Sequence, residues 1–288
     1  MVKTVLSYRT SKLDSFNYNE LPIIHQIESV GGLCNLKCPD CPVTKGEAKR
    51  RTPWFPVELL KTMIDRGDFA NTFYVELQMY GEPLLHQEID LMVSMLQKEN
   101  IWVGFSTNLE LWKPALLKAD AITVSFDEVS YRINRNIVRF KDNFTRLLSE
   151  RERPTDIQFI EQGDYQSLME EISSKISNMA VTVRSIPDCF NQNKGSNELC
   201  LNPWMAVSIH SDGDVCACCF DNDKQLVYGN LYDNTLSEIW QSDKVKKMRK
   251  TFLDPNERLK TKCMHCNMRS PVLLYQRFLK NWQEAGLL

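Results

Sequence analysis

The chain has 288 residues, 43 % apolar and 25 % charged, with a net charge of −2 and a pI near 6.1. Such a balance suits a globular fold with material for a large core, and it argues against a sequence-independent nucleic-acid binder, which carries a basic excess. No apolar run reaches membrane-spanning length, and "MVKTVLSYRTSKLDSF" (1–16) lacks the apolar stretch of a secretory signal, so a cytoplasmic protein with neither nucleic-acid nor membrane partner is expected. Ten cysteines are many for that compartment. Disulfides are disfavoured there, so clustered cysteines point to metal binding or redox work.

Along the chain, β-branched apolar runs at 23–30, 72–80, 101–107, 121–126, 156–161 and 180–186 read as strands. Helical spacing appears between them at 57–69, 87–99, 111–118, 130–150 and 164–178. This β–α alternation predicts an α/β fold in which a parallel sheet, covered by helices, curls into a partial (β/α)6 barrel. In "TFYVELQMYGEP" Val75, Leu77 and Met79 alternate with Tyr74, Glu76, Gln78 and Tyr80. Period-two alternation sends the first set toward helices and the second into a polar lumen.

After residue 186 the pattern changes. "PDCFNQNKGSNELC" reads as a loop and "WMAVSIHSDGDVCACC" as a hairpin around Ser-Asp-Gly-Asp. "TLSEIWQSDKVKKMRKTFL" (235–253) reads as one helix capped by Thr235 or Asn234, with "KVKKMRK" on its solvated face. A final helical stretch is expected near 270–284. The boundary is placed near residue 190, giving a core over 1–190 and a smaller domain over 191–288.

The densest chemistry lies in "VGGLCNLKCPDCPVTKG" (30–46), where Cys34, Cys38 and Cys41 are spaced C-x3-C-x2-C. Pro39 and Pro42 keep the stretch from becoming a regular helix. Three thiolates leave a tetrahedral metal or a four-iron cubane one ligand short. Either an open iron awaits a ligand, or a zinc site is completed by a distant Cys or His. The triplet follows the first strand, at the barrel mouth where such folds place their chemistry.

On "CNLKCPDC" the chain resembles the radical S-adenosylmethionine (SAM) superfamily. Further resemblances follow in order: "YGEPLLH" to its GEP motif, "FSTNL" to its TNG segment and "VSFD" to its SiDg segment. The resemblance implies that SAM completes the open iron of a [4Fe-4S] cluster on Cys34, Cys38 and Cys41. Reductive cleavage of SAM then gives a 5′-deoxyadenosyl radical that abstracts a substrate hydrogen. It also implies that Tyr80, Gly81, Glu82 and Pro83, with Ser106, Asn108, Ser125 and Asp127, contact SAM, and that a flavodoxin- or ferredoxin-type donor supplies the electron. Three departures stand out: Asp40 where an aromatic is usual, Leu109 in place of the glycine of TNG, and a lead-in to Cys34 one residue longer.

A second cysteine set resembles the SPASM extension in its short, twitch form. Cys200, Gly213 and Cys218 match its opening, and "CMHC" supplies Cys263 and Cys266. By this resemblance Cys200, Cys218, Cys263 and Cys266 enclose an auxiliary [4Fe-4S] cluster; a four-thiolate zinc knuckle has the same donor set. "CACC" leaves Cys219 as the alternative to Cys218. Among twitch-bearing members the likeness is greatest to aminocyclitol dehydrogenases, which oxidise an alcohol to a ketone. An auxiliary cluster suits that reaction as an electron acceptor. Arg184, on the sixth strand, is the candidate substrate contact or proton acceptor. The alternative is a peptide-modifying enzyme, which would take a peptide in place of a small molecule.

Overall fold

The computed structural model describes residues 20–39, 41–127, 135–151, 156–162, 181–185, 200, 202–258 and 263. A nine-stranded sheet runs in the order β6-β5-β4-β3-β2-β1-β7-β8-β9. β1 (Ile23–Ile27), β2 (Tyr74–Glu76), β3 (Trp102–Thr107), β4 (Ala121–Asp127), β5 (Asp156–Gln162) and β6 (Val181–Ser185) pair in parallel, each with the next. β6 remains an edge, so the sheet is open and the architecture is the expected partial (β/α)6 barrel. β7 (Ala206–Ile209) lies parallel to β1, and β8 (Asp214–Cys216) and β9 (Val227–Asn230) follow antiparallel. The expected hairpin is therefore present, and it extends the sheet of the barrel.

Helices α1 (Val57–Asp65), α2 (Ile89–Lys98), α3 (Ala115–Lys118) and α4 (Ile137–Glu150) alternate with the first strands. Each of the longer three buries an i, i+3, i+4 stripe: Leu59, Leu60 and Met63; Met92, Val93 and Leu96; Phe140, Phe144 and Leu147. These pack on Val75, Leu77, Val103, Phe105, Ile122 and Val124, the outward face of the sheet. α1 stops short of the expected residue 69 because Gly67 turns left-handed (φ 76°). Its N–H reaches Ile64 O and that of Asp68 reaches Met63 O, closing a Schellman motif. The predicted helix 164–178 and the one near 270–284 lie outside the described residues.

The expected helix 235–253 is two helices, α6 (Leu236–Gln241) and α7 (Asp243–Leu253), flanked by α5 (Asn202–Met205) and α8 (Pro255–Arg258). Thr235 caps α6 through a full capping box with Glu238. Ser242 is extended (ψ 155°) and its hydroxyl accepts from Val245 N–H, so a second cap interrupts the run. Lys244, Lys246, Lys247 and Lys250 are exposed, as expected of a solvated face.

The opposite face of the sheet lines the lumen. Ile23, Tyr74, Ala121 and Ala206 form an apolar floor. A bulge in β1 between Ile24 and Gln26 shifts the pleat by one residue. That shift brings Gln26 onto the lumen side opposite Glu76, which in turn stands beside Gly104. Gly104 has no room for a side chain: a Cβ there would lie 2.2 Å from the Tyr74 hydroxyl.

Candidate active site

The C-terminal ends of the strands carry the expected residues. The segment from Gly31 to Pro53 is an excursion closed at its neck by two backbone hydrogen bonds, Gly31 N–H to Pro53 O (2.8 Å) and Phe55 N–H to Ser29 O (3.0 Å), which make an antiparallel Val30–Trp54 bridge. Cys34, Cys38 and Cys41 sit on this loop, all partly exposed, and Cys41 N–H bonds Cys38 O at 3.1 Å. The Cys34 thiol is pushed up to about 12, first by burial and further by the charges of Glu82, Cys38 and Cys41, with the Leu36 N–H opposing. Burial beside a carboxyl holds the Cys34 thiol protonated, and a bound metal would invert that balance by deprotonating it. The donor set therefore fits an iron–sulfur centre. Leu36 N–H at 3.4 Å and Asn108 Nδ2 at 3.8 Å both point donors at Cys34 Sγ.

Glu82 sits at the centre of this end of the barrel. It is buried, and it accepts from the Thr107 hydroxyl (2.7 Å), the Asn108 N–H (2.8 Å) and the Leu84 N–H (3.1 Å). Burial raises its carboxyl to about 7, against the pull of those hydrogen bonds and of Arg135. Gly81 (φ 112°) brings the strand end within contact of the cysteine loop, where a Cβ would stand 2.6 Å from both Leu33 O and Val30 O. Pro83 begins the short 3-10 turn Pro83–Leu85, where its missing N–H costs nothing. Asn108 Nδ2 also donates to Asn35 Oδ1 (2.8 Å), and Asn35 donates to Glu110 (3.4 Å). Leu109 is buried yet left-handed (φ 58°), which explains the glycine usual in the resembled segment at this place.

Ser106 and Ser125 are half-buried at the ends of β3 and β4, and Arg135 ties the two strands through Asn108 O and Ser125 O, both at 2.7 Å. Asp127 ends β4 opposite Gln162. Arg184 stands in register with Ile160, and Ile160 with Ser125, so Arg184 shares the upper row of the sheet with Ser125.

Sequence reasoning put Glu76 on the lumen side but missed its partner Gln26 and the Glu28–Arg50 pair. In the lumen, Glu76 accepts from Gln26 Nε2 (2.9 Å) and from the Tyr74 hydroxyl (3.2 Å). Gln26 Oε1 is buried with no hydrogen-bond partner among the described residues. Below the cysteine loop, Glu28 and Arg50 form a buried ion pair, with Nε to Oε2 at 2.6 Å and Nη2 to Oε1 at 3.1 Å. Glu28 also accepts from Ser211 N–H (3.1 Å), and Arg50 donates to Asn222 O (2.8 Å) in the segment after β8. The alternation of β2 placed Glu76 on the polar face. Gln26 depends on a bulge, and the ion pair on contacts far apart in sequence.

Tyr80 packs between the cysteine loop and the second cysteine segment. It packs with Ala48, Met79 and Cys216, against Val43, Cys219 and Val227. Its hydroxyl is held protonated first by burial and then by the nearby charges of Cys219, Cys218 and Glu28. Cys218 is raised well above the usual thiol range by its hydrogen bond with Cys219 and by burial. Cys200 and Cys263 are partly exposed, and Cys263 packs on the main core. Cys266 lies outside the described residues.

Residues 200–267 match the SPASM family, described as an iron-sulfur cluster-binding domain. An S-adenosyl-L-methionine-dependent 2-deoxy-scyllo-inosamine dehydrogenase of Niallia circulans is 23 % identical over 244 residues, covering 83 % of this chain and 90 % of that one. The crystal structure of BtrN in complex with AdoMet and 2-DOIA superimposes with a TM-score of 0.58 at 19 % identity, over 86 % of this chain and 94 % of that one. Streptococcus suis SuiB bound to S-adenosylmethionine gives a TM-score of 0.59 at 16 % identity, over 85 % of this chain and 72 % of that one. No helix among the described residues is long and apolar enough to cross a membrane.

Proposed function

We propose that this radical SAM protein, whose C-terminal segment is of the SPASM type, is an oxidoreductase that converts an alcohol of a small molecule, such as an aminocyclitol or sugar, to a carbonyl. Cys34, Cys38 and Cys41 would hold a SAM-binding [4Fe-4S] cluster. Cys200, Cys218, Cys263 and Cys266 would hold an auxiliary one. When bound, these groups supply a hydrogen-abstracting 5′-deoxyadenosyl radical from SAM and an acceptor for one electron. A flavodoxin- or ferredoxin-type protein fits as the donor of the initiating electron.

Oxidation of a carbinol removes a hydrogen atom, a proton and an electron. The chain's own part is to hold the carbinol and receive the proton. The observation that carries the reading is the polar lumen above an apolar floor, with a carboxylate and an unsatisfied acceptor at its centre. Glu76 is positioned by Gln26 and Tyr74 and can take a hydroxyl proton or pair with a substrate ammonium. Gln26 Oε1 has acceptor capacity for a substrate hydroxyl or ammonium. Arg184 fits a contact to the hydroxyl oxygen, because a guanidinium stays charged and makes a poor base. Glu82 holds β3 against the cysteine loop, keeping Asn108 at Cys34, and Gly81, Pro83, Ser106, Ser125 and Asp127 complete the SAM-facing rim.

The experiment is SAM cleavage and product formation in anaerobically reconstituted variants. Replacing Cys34, Cys38 or Cys41 with Ala should abolish cleavage, whereas Cys263→Ala should spare uncoupled cleavage and lose product. A Cys263→Ala enzyme that turns over normally would remove the electron-acceptor role. The second reading, modification of a peptide, draws on the fold shared with SuiB. Turnover of a peptide, with no oxidation of any aminocyclitol or sugar offered, would favour it.

A further inference from the structure

β8 and β9 are not in simple register. Asp214 stands opposite Asn230 and Val215 opposite Gly229, but Cys216 stands opposite Val227. Tyr228 is therefore the extra residue of a β-bulge, inserted across from the Val215–Cys216 step. Bulges re-aim side chains, and this one occurs where the chain enters the "CACC" segment. The Tyr228 ring is buried in the main core, edge-on to Trp240 with centroids 6.3 Å apart. Its hydroxyl is buried and finds no hydrogen-bond partner among the described residues. A buried phenol almost always has a partner, because leaving the donor unmade is costly. The groups within electrostatic reach of this hydroxyl are Cys216, Cys200, Cys218 and the guanidinium of Arg249. The Arg249 Cζ stands 4.2 Å from the Trp240 ring centroid, and its Nε donates to Pro203 O at 2.7 Å.

We infer that the Tyr228 hydroxyl donates a hydrogen bond to a sulfur of the auxiliary cluster, and that with Arg249 it raises that cluster's reduction potential. The inference rests on the reading of Cys200, Cys218, Cys263 and Cys266 as an iron–sulfur shell. Donors to cluster sulfurs and a nearby positive charge stabilise the more negative, reduced form. A tyrosine at the bulge thus has a chemical use that a phenylalanine would not: it makes the auxiliary cluster a better acceptor for the electron released in substrate oxidation. The inserted residue places its hydroxyl within electrostatic reach of the thiols, while the flanking Val227 and Gly229 keep the ladder.

The test is an anaerobic redox titration followed by electron paramagnetic resonance, made in the Cys34/Cys38/Cys41→Ala background so that one cluster alone is read. Tyr228→Phe keeps the ring and its packing and removes one oxygen. With iron and sulfide content unchanged, its midpoint potential should fall by about 59 mV, a tenfold weaker hold on the electron. Arg249→Gln, which retains a donor toward Pro203, should shift the potential in the same direction and carries the test should Tyr228→Phe fail to load. An unchanged potential in a fully loaded Tyr228→Phe protein overturns the inference while leaving the auxiliary cluster in place. Zinc with no iron in the same background overturns the cluster reading and the inference together.

Discussion

Replacing Arg50 with Met should unlock the neck between the two cysteine sets. Glu28 is fully buried and Arg50 nearly so, with side-chain exposures of 0 % and 1 %. Removing the guanidinium leaves a buried carboxylate whose remaining contacts are the N–H groups of Ser211 and Tyr80, and it strips the donor from Asn222 O. Breaking a buried pair from one side costs about 3–5 kcal/mol, a large share of the roughly 5–15 kcal/mol that holds a domain folded. Burial already raises the Glu28 carboxyl and Arg50 opposes that rise, so without Arg50 the carboxyl goes higher still. A carboxyl raised above its unfolded value lends stability at low pH and loses it as pH rises through the folded value. The loss in Arg50→Met should therefore be larger at pH 8 than at pH 5. Urea denaturation followed by tryptophan fluorescence at both values measures it. Glu28→Gln/Arg50→Met, which removes both charges, should recover part of the loss. A deficit below about 1 kcal/mol, or one equal at the two pH values, would refute the claim that this pair is a closed, desolvated joint.

Gly31→Ala should act on the same neck by sterics. A Cβ there would meet Ser211 Oγ at 2.3 Å, Glu28 Oε2 at 2.7 Å and Arg50 Cγ at 2.8 Å, so reduced cluster loading and a lower melting temperature are expected, measured by iron content and calorimetry. Asp68→Asn should stabilise the protein at neutral pH. Burial lifts the Asp68 carboxyl to about 6, and its Oδ2 has no partner among the described residues. Its stability contribution is full below about pH 4 and lost as pH rises through 6, so the gain should reach about 3 kcal/mol at pH 7.5 and vanish at pH 4 in urea melts.

What could be read from the sequence was what depends on neighbours along the chain. The β–α alternation and the Thr235 cap are local, and both hold. Leu109 sits between these cases: the segment was legible, but the left-handed backbone that makes its side chain costly appears only in the fold. Ser242 marks a different limit, since a good capping residue inside a helical pattern is silent until it is seen to cap. The bulges in β1 and at Tyr228 are invisible to period-two counting, because each changes which face a residue takes without changing composition.

The same division runs through the candidate site. The residues that would hold metal are clustered in sequence, whereas those that position them come from far away: Glu82 accepts from Thr107 and Asn108, and Glu28 and Arg50 reach Ser211 and Asn222. β7 pairs with β1 as a continuation of the sheet, so the backbone that carries Cys216 and Cys218 is bonded to the strand that leads into Cys34. Parallel pairing fixes the offset between the strand leading into Cys34 and the segment of Cys216 and Cys218, and the buried ion pair with Tyr80 packs beside it. The proposed transfer of an electron from substrate to a second centre needs that offset held constant. Here a shared sheet supplies it where a flexible tether could not.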